Sequence, residues 1–134
     1  MPRPGLIIFA HGARDVRWAE PFERLLARIQ ERRPDVEARL AYLEHLMPDL
    51  PTAAGTLAAR GVETIRIVPL FFGRGGHLRE DFPRVVAAAQ AAAPGIVFEV
   101  SAAAGEDGAV LEALADFTLA GLAPARQTSP EKCP

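Results

Sequence analysis

Residues 64–83 read TIRIVPLFFGRGGHLREDFP. The first eight, Thr64 to Phe71, are rich in β-branched and aromatic residues and predict a strand. Pro69 has no backbone N–H, so regular pairing should stop near that strand's C-terminal end. A loop carrying Gly73, Gly75 and Gly76 follows and delivers His77. The chain then turns helical over about Asp81 to Ala93, with Pro83 early and Pro94-Gly95 just beyond the end. Strand, glycine-rich loop and helix make one βα unit, and the rest of the chain repeats the alternation.

Upstream, Gly5 to Ala10 (GLIIFA) is continuously apolar, as a strand covered on both faces would be. Trp18, Phe22, Leu25, Leu26 and Ile29 then recur at helical spacing, and Pro34 closes that helix. Val36 to Leu43 predicts a second strand, and Leu50 to Arg60 a second helix. Asp49 stands where it can cap that helix, Pro51 is tolerated in its first turn, and Gly61 ends it. Downstream, Ile96 to Val100 predicts a fourth strand. Val110, Leu111, Leu114 and Phe117 mark a fourth helix running to about Leu122. The pattern predicts one α/β domain over residues 1–122, a doubly wound, four-stranded parallel sheet. Residues 123–134, rich in Pro, Ser, Thr and charge, are expected to form a disordered tail.

Composition narrows the function. The chain has 134 residues, 49% hydrophobic and 24% charged, with a net charge of −2. No basic field is present to hold nucleic acid. The one cysteine, Cys133, excludes an internal disulfide framework and a Cys-rich zinc or iron–sulfur site. No apolar run is long enough to span a membrane or form a signal-peptide core, so a cytoplasmic protein is expected.

Two histidines follow two strands in the same manner: His11 in FAHGARD and His77 in VPLFFGRGGH. Neighbouring strands would deliver both imidazoles to one rim of the sheet, where imidazole ligates iron, cobalt, nickel or zinc. Two histidines are an incomplete coordination set, which suits a metal that is passed on. His45 lies after the second strand, but Glu44 is its alternative on the same turn, and one of two adjacent side chains is expected to face inward. Arg14, Arg17, Arg74, Arg79 and Arg84 cluster near the histidine loops, which favours a carboxylate-bearing ligand, although Asp15, Glu80 and Asp81 temper that excess. The glycine-rich loop fits neither GxGxxG nor the Walker pattern, and neither GxSxG nor HExxH occurs.

HGARD, AYLEHLMP and VPLFFGRGGHLREDFP together resemble the three signature blocks of the CbiX/SirB-type class II chelatases, over about residues 5 to 122. That resemblance implies insertion of a divalent metal, Co²⁺ or alternatively Ni²⁺ or Fe²⁺, into sirohydrochlorin, with no organic cofactor. It implies a homodimer of the short form, with metal on His11 and His77, and His11 and Glu44 as catalytic residues. Phe72, Gly73, Arg74, Gly75 and Gly76 would line the tetrapyrrole, with Leu46 nearby. Two positions depart from the family pattern: Ala13 stands where Ser is usual, and His45 where a small or apolar residue is common. The missing Ser keeps open a second reading, a tetrapyrrole- or metal-binding protein without turnover. A metal-dependent hydrolase would need Glu44 or His45 as a further ligand and base.

Overall fold

A computed structural model describes residues 2–73 and 75–125, with residues 76–78 described as backbone only. Four strands, β1 (Gly5–Ala10), β2 (Glu37–Tyr42), β3 (Thr64–Pro69) and β4 (Val97–Val100), form one sheet in the order β2-β1-β3-β4. Every pairing is parallel. Parallel neighbours need crossovers, and α1 (Glu20–Arg32), α2 (Leu50–Ala59) and α3 (Gly76–Ala92) supply them, with α4 (Gly108–Leu119) after β4. The doubly wound α/β expectation therefore holds.

The burial pattern follows the pleat. Ile7 and Phe9 of β1 join Ile65 and Ile67 of β3 under α2 and α3, with Leu50, Leu57, Phe71 and Phe82 completing that core. Phe9 stacks on Phe82, ring centroids 5.5 Å apart, and meets Phe71 edge-on at 5.7 Å. On the other face Ile8, Ala10, Leu40 and Tyr42 meet Trp18, Phe22, Leu26 and Ile29 of α1 and its lead-in. Asp49 caps α2 by accepting from the Thr52 amide at 2.9 Å, as the sequence predicts.

Several boundaries move, α4 among them, which ends at Leu119 rather than at about Leu122. β3 stops at Pro69, and α3 starts at Gly76, five residues before the expected Asp81. The helix therefore takes in the end of the glycine-rich loop, and His77 stands in its first turn. Pro83 sits within α3, at its eighth residue, rather than near its start. The expected tail falls mostly on residues 126–134, outside the described residues.

At the opposite end of the sheet, Glu37 is buried among three guanidiniums. Arg60 donates to both its oxygens, at 2.9 and 3.0 Å, Arg3 at 2.7 Å and Arg39 at 3.4 Å. The Arg60 bonds, followed by the charges of Arg3, Arg60 and Arg39, hold the Glu37 carboxyl below its ordinary 4.5. A depressed folded-state pKa contributes stability that is complete above the unfolded value and lost as pH falls through the folded one. Glu37→Gln should lower the urea midpoint at pH 7, and the gap to the wild type should narrow as the pH drops below about 4.5. A gap independent of pH would show that the charge contributes nothing.

Candidate functional site

β1 connects to β2 on one side and pairs with β3 on the other, so the loops after β1 and β3 part at the carboxyl end of the sheet. In open α/β sheets that switch point forms a crevice. Here it is a cleft of about 450 Å³, lined by His11, Leu43, Glu44, Gly73, Gly75, Asp81, Arg84 and Val85.

Backbone pairing fixes its first wall. Beyond the strands proper, the Leu43 amide donates to Ala10 O at 2.9 Å and the Glu44 amide to His11 O at 3.1 Å. The β1–β2 ladder thus continues into the loops and locks His11 against Glu44. Gly12 follows at φ 91°, and a Cβ there would stand 1.8 Å from Glu44 O, so only glycine lets the two segments meet.

The His11 ring has a defined orientation. Its Nδ1 lies 3.2 Å from Gly12 O. A carbonyl only accepts, so the tautomer making this bond carries its proton on Nδ1 and leaves Nε2 as a free base and ligand. That Nε2 is 3.7 Å from Glu44 Oε1, and both side chains are half exposed. The separation is too long for a hydrogen bond and leaves room for a proton or cation between them.

His45 sits close beside Glu44. Glu44 lines the cleft and His45 does not, yet the two side chains come together, with His45 Nε2 3.8 Å from Glu44 Oε1. His45 adopts φ 67°, the left-handed region that side chains other than those of Gly, Asn, Asp and His seldom enter. Two imidazoles therefore approach the same carboxylate oxygen, one that lines the cleft and one that does not. Alternation along an extended chain could not reveal this, because the turn at His45 breaks it.

The opposite wall comes from the β3–α3 loop and α3. Gly73 and Gly75 line it, while Phe72 is largely exposed and is not among the lining residues. Gly105, which carries no sequence motif, pins the loop: its amide donates to Phe71 O at 2.8 Å, and a Cβ would stand 2.0 Å from Phe72 O. Leu46 packs against the α1 side of the sheet and is not among the lining residues. Of the five arginines, Arg84 lines the cleft, and Arg17 is held by Asp15 at 2.8 Å. Those bonds from Arg17 keep the Asp15 carboxyl below its ordinary value. Arg74 lies outside the described residues, and of Gly76 and His77 only the backbone is described. Among the described residues no three His, Cys, Asp or Glu side chains group as a metal ion would require. No helix there is long and apolar enough to cross a membrane.

Comparison with known proteins agrees with this fold. A sirohydrochlorin cobaltochelatase of Methanothermobacter thermautotrophicus is 29% identical over 85 residues, 63% of this chain and 59% of that protein. One of Sulfolobus acidocaldarius is 33% identical over 79 residues, 59% of this chain and 63% of that protein. The chain thus matches less than two thirds of the length of these curated relatives. Among solved structures, a putative cobalamin (vitamin B12) biosynthesis CbiX protein from Marinobacter aquaeolei VT8 superposes with a TM-score of 0.74 at 32% identity. That match covers 85% of this chain and 92% of the other. The sirohydrochlorin chelatase SirB of Bacillus subtilis subspecies spizizenii, in complex with cobalt, shares the fold at 21% identity and a TM-score of 0.68, over 87% of this chain and 50% of the other. The model of the CbiX family matches residues 5–118, nearly the whole described domain, and the chain belongs to that family.

Proposed function

We propose that this protein is a sirohydrochlorin chelatase that inserts a divalent metal into the tetrapyrrole in cobalamin or sirohaem biosynthesis. Co²⁺ is the first candidate, with Ni²⁺ and Fe²⁺ behind it, because imidazole accepts all three and selectivity often follows availability. The observation that carries the reading is the pairing of His11 Nε2 with Glu44 Oε1 at 3.7 Å on one wall of an open cleft. Metallation takes in M²⁺ and releases two pyrrole N–H protons, so a ligand and a base must stand side by side. His11, with Nε2 free, serves as ligand and first proton acceptor, and Glu44 takes a proton onward. His77 is the second metal ligand. Gly73 and Gly75 let the tetrapyrrole approach the backbone, Arg84 faces its carboxylates, and Phe72, Arg74, Gly76 and Leu46 complete the substrate contacts. The reading includes a cytoplasmic homodimer that needs no organic cofactor and binds neither nucleic acid nor membrane.

The test is the absorbance change of sirohydrochlorin with Co²⁺, with and without protein, beside His77→Ala. Insertion faster than the spontaneous reaction, and lost in the variant, is the expected result. A rate no better than spontaneous with Co²⁺, Ni²⁺ and Fe²⁺ would leave a binding protein on a chelatase fold.

A further inference from the structure

The two walls of the cleft are held by the same device: strand pairing runs on past the strand ends, and a glycine lies against a loop carbonyl. Gly12 does this for the His11–Glu44 wall. On the other wall the β3–β4 pairing continues, the Ser101 amide donating to Ile67 O at 3.0 Å and the Gly105 amide to Phe71 O at 2.8 Å. Gly105 sits in a single 3-10 turn, Ala104–Glu106, between β4 and α4. A Cβ there would stand 2.0 Å from Phe72 O and 2.5 Å from Phe72 C and Cα. All three atoms are backbone, so no change of side-chain rotamer relieves the contact.

One part of the chain can yield. Phe71 is fixed: it is buried, its ring lies edge-on to Phe9 at 5.7 Å and to Phe82 at 6.1 Å, and the Leu70 amide before it donates to Phe9 O at 2.8 Å. Ala103, two residues before Gly105, is fully buried in the same core. An added carbon therefore pushes the chain from Phe72 onward, and that chain carries Gly73 and Gly75 of the cleft lining. To reach ordinary van der Waals separation, Phe72 O would have to recede by about 1.4 Å. We propose that Gly105 is a positioning residue for tetrapyrrole binding: by admitting Phe72 O against its bare Cα, it holds Gly73 and Gly75 where the macrocycle meets them. This role rests on the tetrapyrrole binding of the proposed function. It goes further by bringing into the site a residue of the β4–α4 connection, which supplies none of the lining.

Gly105→Ala tests the contact in isolation, because Gly105, unlike Gly12, lies outside the left-handed region and an alanine meets no backbone penalty there. Gly108, in the first turn of α4, has nothing within 4 Å of an added Cβ, and Gly108→Ala is the matched control. Metal-free sirohydrochlorin, followed by its absorbance, should bind Gly105→Ala about tenfold to a hundredfold more weakly than the wild type, and Gly108→Ala as tightly as the wild type. A role confined to stability would lower the urea midpoint and leave the affinity of the folded protein unchanged. Hydrogen exchange on the wild type decides the matter even where Gly105→Ala does not fold. Bound sirohydrochlorin should slow the Gly105 amide more than the Ile96 amide, which is bonded to Ala93 O at the other end of β4. A wild type that does not bind sirohydrochlorin would overturn the proposed function and this role together. Binding by the wild type with undiminished affinity in Gly105→Ala, an equal loss in Gly108→Ala, or no extra slowing at Gly105 would overturn this role alone.

Discussion

Gly12→Ala is expected to cost far more than the same change at Gly61, although the two glycines share a backbone conformation. Their φ angles are 91° and 86°. In the left-handed region an alanine costs about 1–2 kcal/mol through its Cβ alone. At Gly61 nothing lies within 4 Å of the added carbon, so that is the whole penalty. At Gly12 the carbon would stand 1.8 Å from Glu44 O, and the loops must part to relieve it. Parting them breaks the bonds from Leu43 to Ala10 and from Glu44 to His11, each worth about 1 kcal/mol, for a total of roughly 3–4 kcal/mol. The same displacement carries Glu44 away from His11. Urea unfolding should show the two-step difference in stability, and Co²⁺-dependent turnover should disappear in Gly12→Ala while surviving in Gly61→Ala. Equal costs at the two positions would mean that the His11–Glu44 contact is looser than the backbone pairing implies.

The fold was legible where hydrophobic period and punctuation agreed. GLIIFA at β1, TIRIVP at β3 and Asp49 with Pro51 at the start of α2 stand where the sequence places them, because each carries its own local signal. The start of α3 was not legible, since Gly75 and Gly76 read as loop while the chain after Gly75 was free to wind. α4 was legible as a helix, but its stripe promised burial that a single copy does not provide. At the site, His11 and Glu44 could be read from their positions after two strands. Their meeting could not, because it depends on the ladder extending past Ala10 and Tyr42 and on Gly12 fitting beneath Glu44. Gly105 gave no signal at all. Its role comes from a carbonyl more than thirty positions away in sequence, at Phe72.

Glu44→Gln separates proton transfer from everything else Glu44 does. The amide keeps the size of the side chain and removes only its charge and basicity, so the cleft keeps its shape. If Glu44 accepts a pyrrole proton beside His11, turnover should fall by about 10²–10⁴-fold, the range for removal of a positioned general base. The KM for the tetrapyrrole should hardly move, since Arg84, Gly73 and Gly75 line the cleft independently of Glu44. His45→Asn is the matched control, because Asn tolerates the left-handed backbone that His45 adopts. His45 Nε2 is as close to Glu44 Oε1 as His11 Nε2 is, 3.8 against 3.7 Å, but it is not among the residues that line the cleft. A side chain that only steadies Glu44 should cost less than about tenfold in turnover when replaced, well below the loss for the base itself. A fall as deep as that of Glu44→Gln would make the His45 imidazole part of the proton path, with protons passing from His11 through Glu44 to His45 and out to solvent. Unchanged turnover in Glu44→Gln would instead leave His11 to accept protons alone and reduce the carboxylate to holding charge beside the incoming metal.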